Sequence, residues 1–137
     1  MRHLGFKDTL NKFISNHTET REKHSDEGLK TRYYKAMKDK TFNELLTIFN
    51  QSQEYEVKSS SIERGEIIVD GKGKKKLFLV ATVVMVSPNR TAVDFSVTTE
   101  TMLPTDFGYS AKVIKEIYQK IGQHLEYVGS GLGNQLS

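Results

Sequence analysis

The longest apolar stretch of the chain is 77–86, which is interrupted only by Thr82. A turn signal around Pro88 separates it from 91–101, where apolar and polar residues alternate. The apolar members of this second segment share one face of a strand, because successive side chains point to opposite sides; they are Val93, Phe95 and Val97. The pattern predicts a long β-hairpin made of the two segments.

The first strand of this hairpin is apolar on both faces, whereas the second has one polar face, typical of a sheet with one solvated side. Alternation places Leu79, Ala81, Val83 and Met85 on one face of the first strand and Phe78, Val80, Val84 and Val86 on the other. Its second face therefore needs a cover. The sequence leaves three candidates: the N-terminal segment, a second subunit or a ligand.

Segments 41–51 and 110–126 show helical spacing. The first opens with a capping box, in which the Thr41 hydroxyl would accept a hydrogen bond from the Glu44 N–H. Each segment carries one apolar stripe, formed by Phe42, Leu45, Leu46 and Phe49 in the first and by Ile114, Ile117, Tyr118, Ile121 and Leu125 in the second. The pattern predicts two amphipathic helices, each packing its stripe against the sheet.

Alternating residues at 55–60 and 64–70 predict two more strands, and a turn rich in glycine and lysine follows at 70–76. The predicted fold class is α+β. We expect a four-stranded antiparallel meander with two helices packed on one face, plus an N-terminal amphipathic helix.

The N-terminal helix is predicted for 1–15, where Phe6, Leu10 and Phe13 recur at helical spacing. Segment 16–30 contains one large apolar residue, so it predicts a mobile linker or an extended strap laid over the domain. The expected organisation is an N-terminal helix and polar linker at 1–30, an α+β domain at 31–128 and a flexible tail at 129–137.

Composition fits one globular domain. The 137 residues are 36% hydrophobic and 27% charged, and no apolar run reaches the roughly 18 residues of a membrane span. The N-terminus lacks the apolar core and cleavage site of a signal peptide. The chain has no cysteine, which excludes disulfides and thiolate metal sites and fits a cytoplasmic protein. The net charge of +3 is milder than that of most nucleic-acid-binding domains.

Motifs for catalysis or cofactor binding are not evident. The four histidines lack metal-ligand spacing, and Gly71 and Gly73 lie between two strands instead of before a helix, where a phosphate loop would be. Asp94 and Glu100 are candidate carboxylates, but their place on the polar face of a strand favours simple solvation. We expect no catalytic residue, no cofactor and no metal.

Basic residues are densest in the turn Lys72–Lys76. Because this turn lacks the interleaved aromatic residues of a nucleic-acid-binding surface, a solvated turn is favoured. Arg32, Tyr33 and Tyr34 do mix basic and aromatic groups, so we assign them to a candidate binding surface together with Phe6, Leu10 and Phe13. One of the two tyrosines would pack under the following helix, and the other would cover the edge of the sheet.

A structural elbow is predicted before the last helix by Thr105, Asp106 and Gly108. Pro104 ends the extended segment, and Thr105 or Asp106 would cap the helix that follows. Gly108 allows a tight bend. This chemistry is structural and requires no ligand.

From Leu29 onward the chain resembles an uncharacterised bacterial family, the domain of unknown function numbered 1499. The resemblance rests on Thr31-Arg32-Tyr33-Tyr34, the helix that follows from Thr41 and the Thr105–Gly108 elbow. It implies an α+β domain with no established activity.

These observations favour a small cytoplasmic binding or accessory protein that is not an enzyme. It would act through a protein partner or through self-association, and membrane contact would involve only the N-terminal helix. Three alternatives remain: a carrier that holds a small apolar ligand between sheet and helix, a nucleic-acid binder that uses Lys72–Lys76, and an enzyme that uses Asp94, Glu100 or Asp106.

Overall fold

The computed structural model describes residues 17–73, 75–100 and 108–133. These parts of the chain form seven strands and two helices, with a short 3-10 helix at Glu27–Leu29. In chain order the elements are β1 (His17–Glu19), β2 (Arg32–Lys35), α1 (Lys38–Gln51), β3 (Tyr55–Ser61), β4 (Glu66–Lys72), β5 (Lys76–Ser87), β6 (Arg90–Thr99), α2 (Tyr109–Gly122) and β7 (Glu126–Ser130). The predicted N-terminal helix, with Phe6, Leu10 and Phe13, lies outside the described residues.

All seven of these strands belong to one antiparallel sheet in the order β3-β4-β5-β6-β2-β7, and β1 also pairs with β6. Strands β1 and β2 lie end to end along the same edge of β6, with His17 opposite Thr98 and Arg32 opposite Val93. The α+β class is therefore confirmed.

The predicted four-stranded meander is wrong as a description of the sheet. Strands β3 to β6 do follow one another as a meander, but β1, β2 and β7 extend the sheet beyond β6. These three strands contain only three, four and five residues. Such short segments carry too few residues for a periodic pattern, and they are strands because β6 and β2 offer them long-range backbone partners.

Segment 17–31, which includes the polar stretch, is laid over the domain as a strap, one of the two forms that the sequence left open. It begins with β1, passes through the 3-10 helix and returns to β6 as β2. At the other end of the chain, β7 spans the boundary expected at residue 128.

Both helices pack against the same face of the sheet. The helix stripes and the inward positions of β4, β5 and β6 form one buried cluster, in which Phe95 and Tyr118 meet edge to face at 5.1 Å. Ile114, Ile117 and Ile121 are at most 1% exposed, which confirms the predicted stripe of the last helix. Burying a large aliphatic side chain contributes about 1.5–3 kcal/mol, so this stripe contributes much of the stability of the fold.

Helix α1 begins three residues before the predicted start, and the capping box at Thr41 is wrong. The Thr41 hydroxyl donates to the carbonyl oxygen of Met37 at 3.0 Å, which is a bond within the first turn of the helix. The N-cap residue is Met37, whose side chain makes no capping hydrogen bond. The first turn is polar, so the apolar stripe does not reveal it. Within the described ranges, neither helix has the length and apolar character needed to cross a membrane.

Candidate functional site

Three chain segments that carry exposed apolar residues meet at one end of the sheet, and we call these residues the sheet-end patch. Its members are large, solvent-exposed side chains from three chain segments: Met37, Ile62, Val84, Met85 and Val86. They are five of the seven exposed large hydrophobic side chains in the described ranges, the other two being Phe78 and Tyr127. Single exposed apolar residues are ordinary, but a cluster of them marks a candidate interaction site.

Contacts between distant segments assemble this patch. Lys38 Nζ donates to the carbonyl oxygen of Glu63 at 3.4 Å, which joins the start of α1 to the β3–β4 turn. The Thr91 hydroxyl donates to the carbonyl oxygen of Ala36 at 2.7 Å, and Thr91 lies opposite Met85 in the sheet. The segment before α1 and the β5–β6 turn are therefore neighbours.

Gly65 fixes the third segment of the patch. Its φ of 65° is in the left-handed region, and its carbonyl oxygen accepts a hydrogen bond from the Val83 N–H at 2.7 Å. A Cβ atom at this position would overlap the Val83 carbonyl oxygen. The turn therefore needs glycine, and it holds Ile62 near the end of β5.

The outer face of β5 is partly open to solvent. Phe78 is 47% exposed and Val84 is 50% exposed, whereas Leu79 and Ala81 on the helix side are fully buried. These exposures agree with the predicted assignment of alternating residues to the two faces of β5. Met85 is the exception, since alternation assigns it to the helix side but it is 56% exposed. Which of the three candidates covers the outer face stays a prediction.

A second site surrounds Arg32, and we call its four residues, Arg32, Tyr34, Tyr118 and Tyr127, the Arg32 cluster. The guanidinium carbon lies 4.6 Å from the ring centroid of Tyr118 and 5.0 Å from that of Tyr127. The Tyr34 and Tyr127 rings are 6.0 Å apart. Cation–π contacts of this kind contribute roughly 0.5–2 kcal/mol and hold the guanidinium in place.

The candidate binding surface at Arg32, Tyr33 and Tyr34 is mostly interior. Tyr34 is fully buried and belongs to the core cluster, and Tyr33 is 3% exposed, with its hydroxyl donating to the Glu22 carboxylate. Arg32 is half-buried. A partner could therefore reach this surface mainly through Arg32 and the exposed Tyr127 beside it.

Asp94 holds both ends of the strap. One carboxylate oxygen accepts hydrogen bonds from the hydroxyls of Thr20 at 2.6 Å and Thr31 at 2.7 Å. The Thr20 hydroxyl in turn accepts a bond from the Phe95 N–H at 2.9 Å. Burial raises the pKa of Asp94, and the two hydroxyl donors oppose that shift. The expectation that Asp94 is simply solvated is therefore wrong.

The two candidate carboxylates of β6 do not meet. Asp94 and Glu100 are six positions apart along extended backbone, a separation of about 20 Å at 3.3–3.4 Å per residue. Glu100 is exposed, as expected from its polar position. They cannot share a substrate as an acid–base pair.

Two lysines of the basic turn have partners within the protein. Lys72 Nζ lies 3.2 Å from a carboxylate oxygen of Glu56, and Lys75 Nζ lies 5.5 Å from the ring centroid of Tyr109. Lys74 lies outside the described residues. Both contacts direct lysine charge to groups of the protein itself.

The elbow is described only at its last residue. Gly108 is the N-cap of α2, has φ of 81° and accepts a hydrogen bond from the Lys112 N–H at 3.0 Å. This positive φ is the backbone conformation that the predicted tight bend requires. Thr105 and Asp106 lie outside the described residues, so their capping role stays a prediction.

Surface depressions occur on the helix side of the molecule. One of about 500 Å³ is bordered by Asp26, Lys112, Lys115 and Glu116, and one of about 330 Å³ lies between the ends of the helices near Gln51 and His124. The smaller depression has a mainly polar border that does not suit an apolar ligand, whereas the larger one also exposes apolar surface, including Ala111. No group of three or more His, Asp or Glu side chains in the described ranges could hold a metal ion.

Sequence reasoning missed the sheet-end patch and found only part of the Arg32 cluster. Met37, Ile62 and Met85 look like ordinary apolar residues in the sequence, and nothing local indicates that they meet. The basic and aromatic mixture at Arg32-Tyr33-Tyr34 did point to the second site, but Tyr118 and Tyr127 come from remote segments.

Comparisons with known proteins give little information. No protein-family model matches the chain, and a comparison with curated proteins found no similar sequence. Among solved structures the chain is similar to the Zhui aromatase/cyclase from Streptomyces sp. R1128, with a TM-score of 0.34 and 12% sequence identity over 78% of this chain and 84% of that chain. A similarity at this level carries no argument about fold or activity.

Proposed function

We propose that this protein is a non-enzymatic cytoplasmic binding protein that acts through protein–protein contacts made by the sheet-end patch. The observation that carries the proposal is that three segments with five exposed apolar side chains meet at one end of the sheet, while the apolar residues of β6 alternate with polar ones. An exposed apolar cluster is costly in water and is retained where a partner covers it.

The composition of the patch supports a protein partner. Met37 and Met85 are 60% and 56% exposed, and methionine is an adaptable apolar side chain that suits contact with another protein. The rim includes the half-buried cation Arg90, whereas Arg64 nearby pairs with Glu66 at 3.5 Å. A partner with apolar residues at the centre of its surface and acidic residues around them would fit this arrangement.

The placement of the two β6 carboxylates favours a binding role over acid–base catalysis. Asp94 is engaged by two hydroxyls of the strap, and Glu100 lies about 20 Å away along the same strand. This separation is too large for the two groups to act together on one substrate, which is the arrangement that acid–base catalysis requires.

The test uses site-specific photo-crosslinking in cells together with sedimentation velocity of the purified protein. A photoreactive amino acid placed at position 85, or at position 37, should give discrete crosslinked protein species. The double variant Val84→Ser with Met85→Ser should abolish the crosslinks formed from position 37, because it removes the apolar centre of the patch. Since both substituted sites are exposed, the free energy of unfolding should change by less than about 0.5 kcal/mol per site.

Phe78→Ser is the matched control, since Phe78 is about as exposed as Val84 but lies outside the patch. It should leave the crosslinks unchanged. Equal crosslinking from position 78, or crosslinks that survive the double substitution, would remove the patch from the proposal. Sedimentation velocity separates self-association from a different partner, because only a second copy makes the sedimentation coefficient rise with concentration.

A further inference from the structure

The Arg32 side chain is a half-buried cation without a partner of opposite charge among the described residues. Its Nε atom is shielded from solvent and has no hydrogen-bond partner there. Buried charges in proteins are almost always paired with an opposite charge or satisfied by hydrogen bonds. The Nε–H donor of this guanidinium therefore lacks an acceptor in the described parts of the chain.

A second unsatisfied group lies in the same cluster. The Tyr34 hydroxyl is fully buried and has no hydrogen-bond partner among the described residues. Burial raises the pKa of Tyr34, and the charge of Arg32 and its N–H groups near the Tyr34 oxygen oppose that shift, although the two groups are too poorly aligned for a full hydrogen bond. A guanidinium offers only donors and a neutral phenol offers one, so both groups can be satisfied by a single acceptor.

The backbone holds the two donors on one face. Arg32 and Tyr34 are two positions apart on β2 and therefore point to the same side of the sheet. The register between β2 and β7 shifts at Tyr33/Tyr34, which leaves Tyr34 opposite Tyr127 and Arg32 opposite Ser130. Bulges of this kind redirect side chains and are frequent beside functional sites.

The two rings that flank Arg32 fix its orientation without neutralising it. Tyr118 is fully buried, and its hydroxyl donates to the Val93 carbonyl oxygen at 2.9 Å, so the ring cannot move aside. Tyr127 is 45% exposed, so the Arg32 cluster reaches the protein surface on that side. A guanidinium fixed between rings presents its fork of N–H donors in a constant direction, which favours recognition of a group with two or more oxygens.

We propose that the Arg32 cluster is a binding site for an oxyanion group, either a carboxylate or a phosphate, which Arg32 and Tyr34 bind as donors beside the ring of Tyr127. This site is separate from the sheet-end patch, and the proposal does not depend on the protein contacts proposed there.

Tyrosine signals allow a direct test, because the chain has no tryptophan and three of its six tyrosines belong to the cluster. Inorganic phosphate and acetate are titrated in separate arms, with sodium chloride keeping the ionic strength constant. In at least one of the two titrations, the near-ultraviolet circular dichroism signal should change and then reach a plateau as the anion concentration rises. The thermal midpoint should rise in the same titration. Saturation by phosphate alone would assign the site to phosphate groups, and saturation by acetate alone to carboxylates.

Arg32→Lys keeps the charge and removes the planar fork, so it should weaken binding by about tenfold or more. Arg64→Lys is the matched control, since Arg64 is exposed and pairs with Glu66 at 3.5 Å; it should bind like the wild type. Tyr34→Phe should also weaken binding but should not destabilise the anion-free protein, because the hydroxyl it removes has no partner there. This second variant keeps the test valid if Arg32→Lys fails to fold.

Three results would overturn the proposal: no saturable response in either arm, a response that follows ionic strength irrespective of the anion, or equal binding by wild type, Arg32→Lys and Tyr34→Phe. A crystal structure in saturating phosphate or acetate that holds only water between Arg32 and Tyr34 would also overturn it, since the two donors would then be satisfied by solvent.

Discussion

The contact between Asp94 and the strap provides a quantitative prediction. Asp94→Ala removes the acceptor that both the Thr20 and the Thr31 hydroxyls use. Thr31 is 2% exposed and would keep no other side-chain partner in the described ranges, whereas Thr20 keeps its bond from the Phe95 N–H. Asp94→Asn keeps an acceptor oxygen at the same place and removes only the charge.

The expected loss of stability in Asp94→Ala follows from these contacts. A hydrogen bond to a charged group is worth about 1.5–3 kcal/mol, and two of them are lost in Asp94→Ala. Relief of the buried charge offsets part of this loss, so we expect a net destabilisation of about 2–3 kcal/mol, which lowers the thermal midpoint by roughly 10 °C. Asp94→Asn should differ from the wild type by less than about 1 kcal/mol, because its amide oxygen can accept both hydroxyls.

The contribution of Asp94 to the free energy of unfolding depends on pH, and the sign of this dependence is defined. Burial raises the pKa of Asp94 above its ordinary value of 3.8, so the folded protein holds this proton more tightly than the unfolded chain. The contribution of Asp94 to the free energy of unfolding therefore falls as pH rises from 3.8 through the higher folded pKa. Asp94→Asn lacks this titration, so its stability relative to the wild type should be greater at about pH 7 than at about pH 4.

Urea denaturation followed by far-ultraviolet circular dichroism at several pH values measures both effects. Comparing each variant with the wild type at the same pH cancels the titration of Asp26, Glu27 and Glu56. Ser96→Ala, at a half-buried position on the same face of β6, is the control; it removes only the 3.4 Å contact between the Ser96 hydroxyl and the His17 ring, so it should cost much less than Asp94→Ala. Equal losses for Asp94→Ala and Asp94→Asn would refute the role assigned to the hydrogen bonds, and a pH-independent difference for Asp94→Asn would refute the role assigned to burial.

Three further predictions concern the core and its turns. Ile117→Ala should cost about 2–5 kcal/mol in the free energy of unfolding, since Ile117 is 1% exposed in the core; a loss below about 1 kcal/mol in a urea titration would contradict the helix packing. Tyr118→Phe should cost about 1–2 kcal/mol, because the Tyr118 hydroxyl donates to the Val93 and Lys30 carbonyl oxygens inside the protein; unchanged thermal melting would show that water replaces it there. Gly108→Ala should cost only the left-handed backbone penalty of about 1–2 kcal/mol, since open space surrounds its Cβ position. Gly65→Ala should cost clearly more, because its Cβ overlaps the Val83 carbonyl oxygen. Equal thermal midpoints for the two variants would contradict this difference.

The sequence alone determined the parts of the fold that depend on local periodicity. The alternation in 91–101 and the apolar run 77–86 predicted the β5–β6 hairpin, and the stripe around Ile117 predicted α2. These signals are reliable because each element buries one face, so its apolar residues must recur at the period of a strand or a helix. Gly108 was predictable for a similar reason, since a tight bend with positive φ strongly favours glycine.

Tertiary structure decided what depends on contacts between distant segments. Strands β1, β2 and β7 exist because β6 and β2 offer them backbone partners, and His17 meets Thr98 without any local signal in 17–19. The environment of Asp94 likewise depends on Thr20 and Thr31 arriving from the strap. The sheet-end patch and the Arg32 cluster each combine residues from separate segments, so their exposure, burial and missing partners are properties of the folded chain.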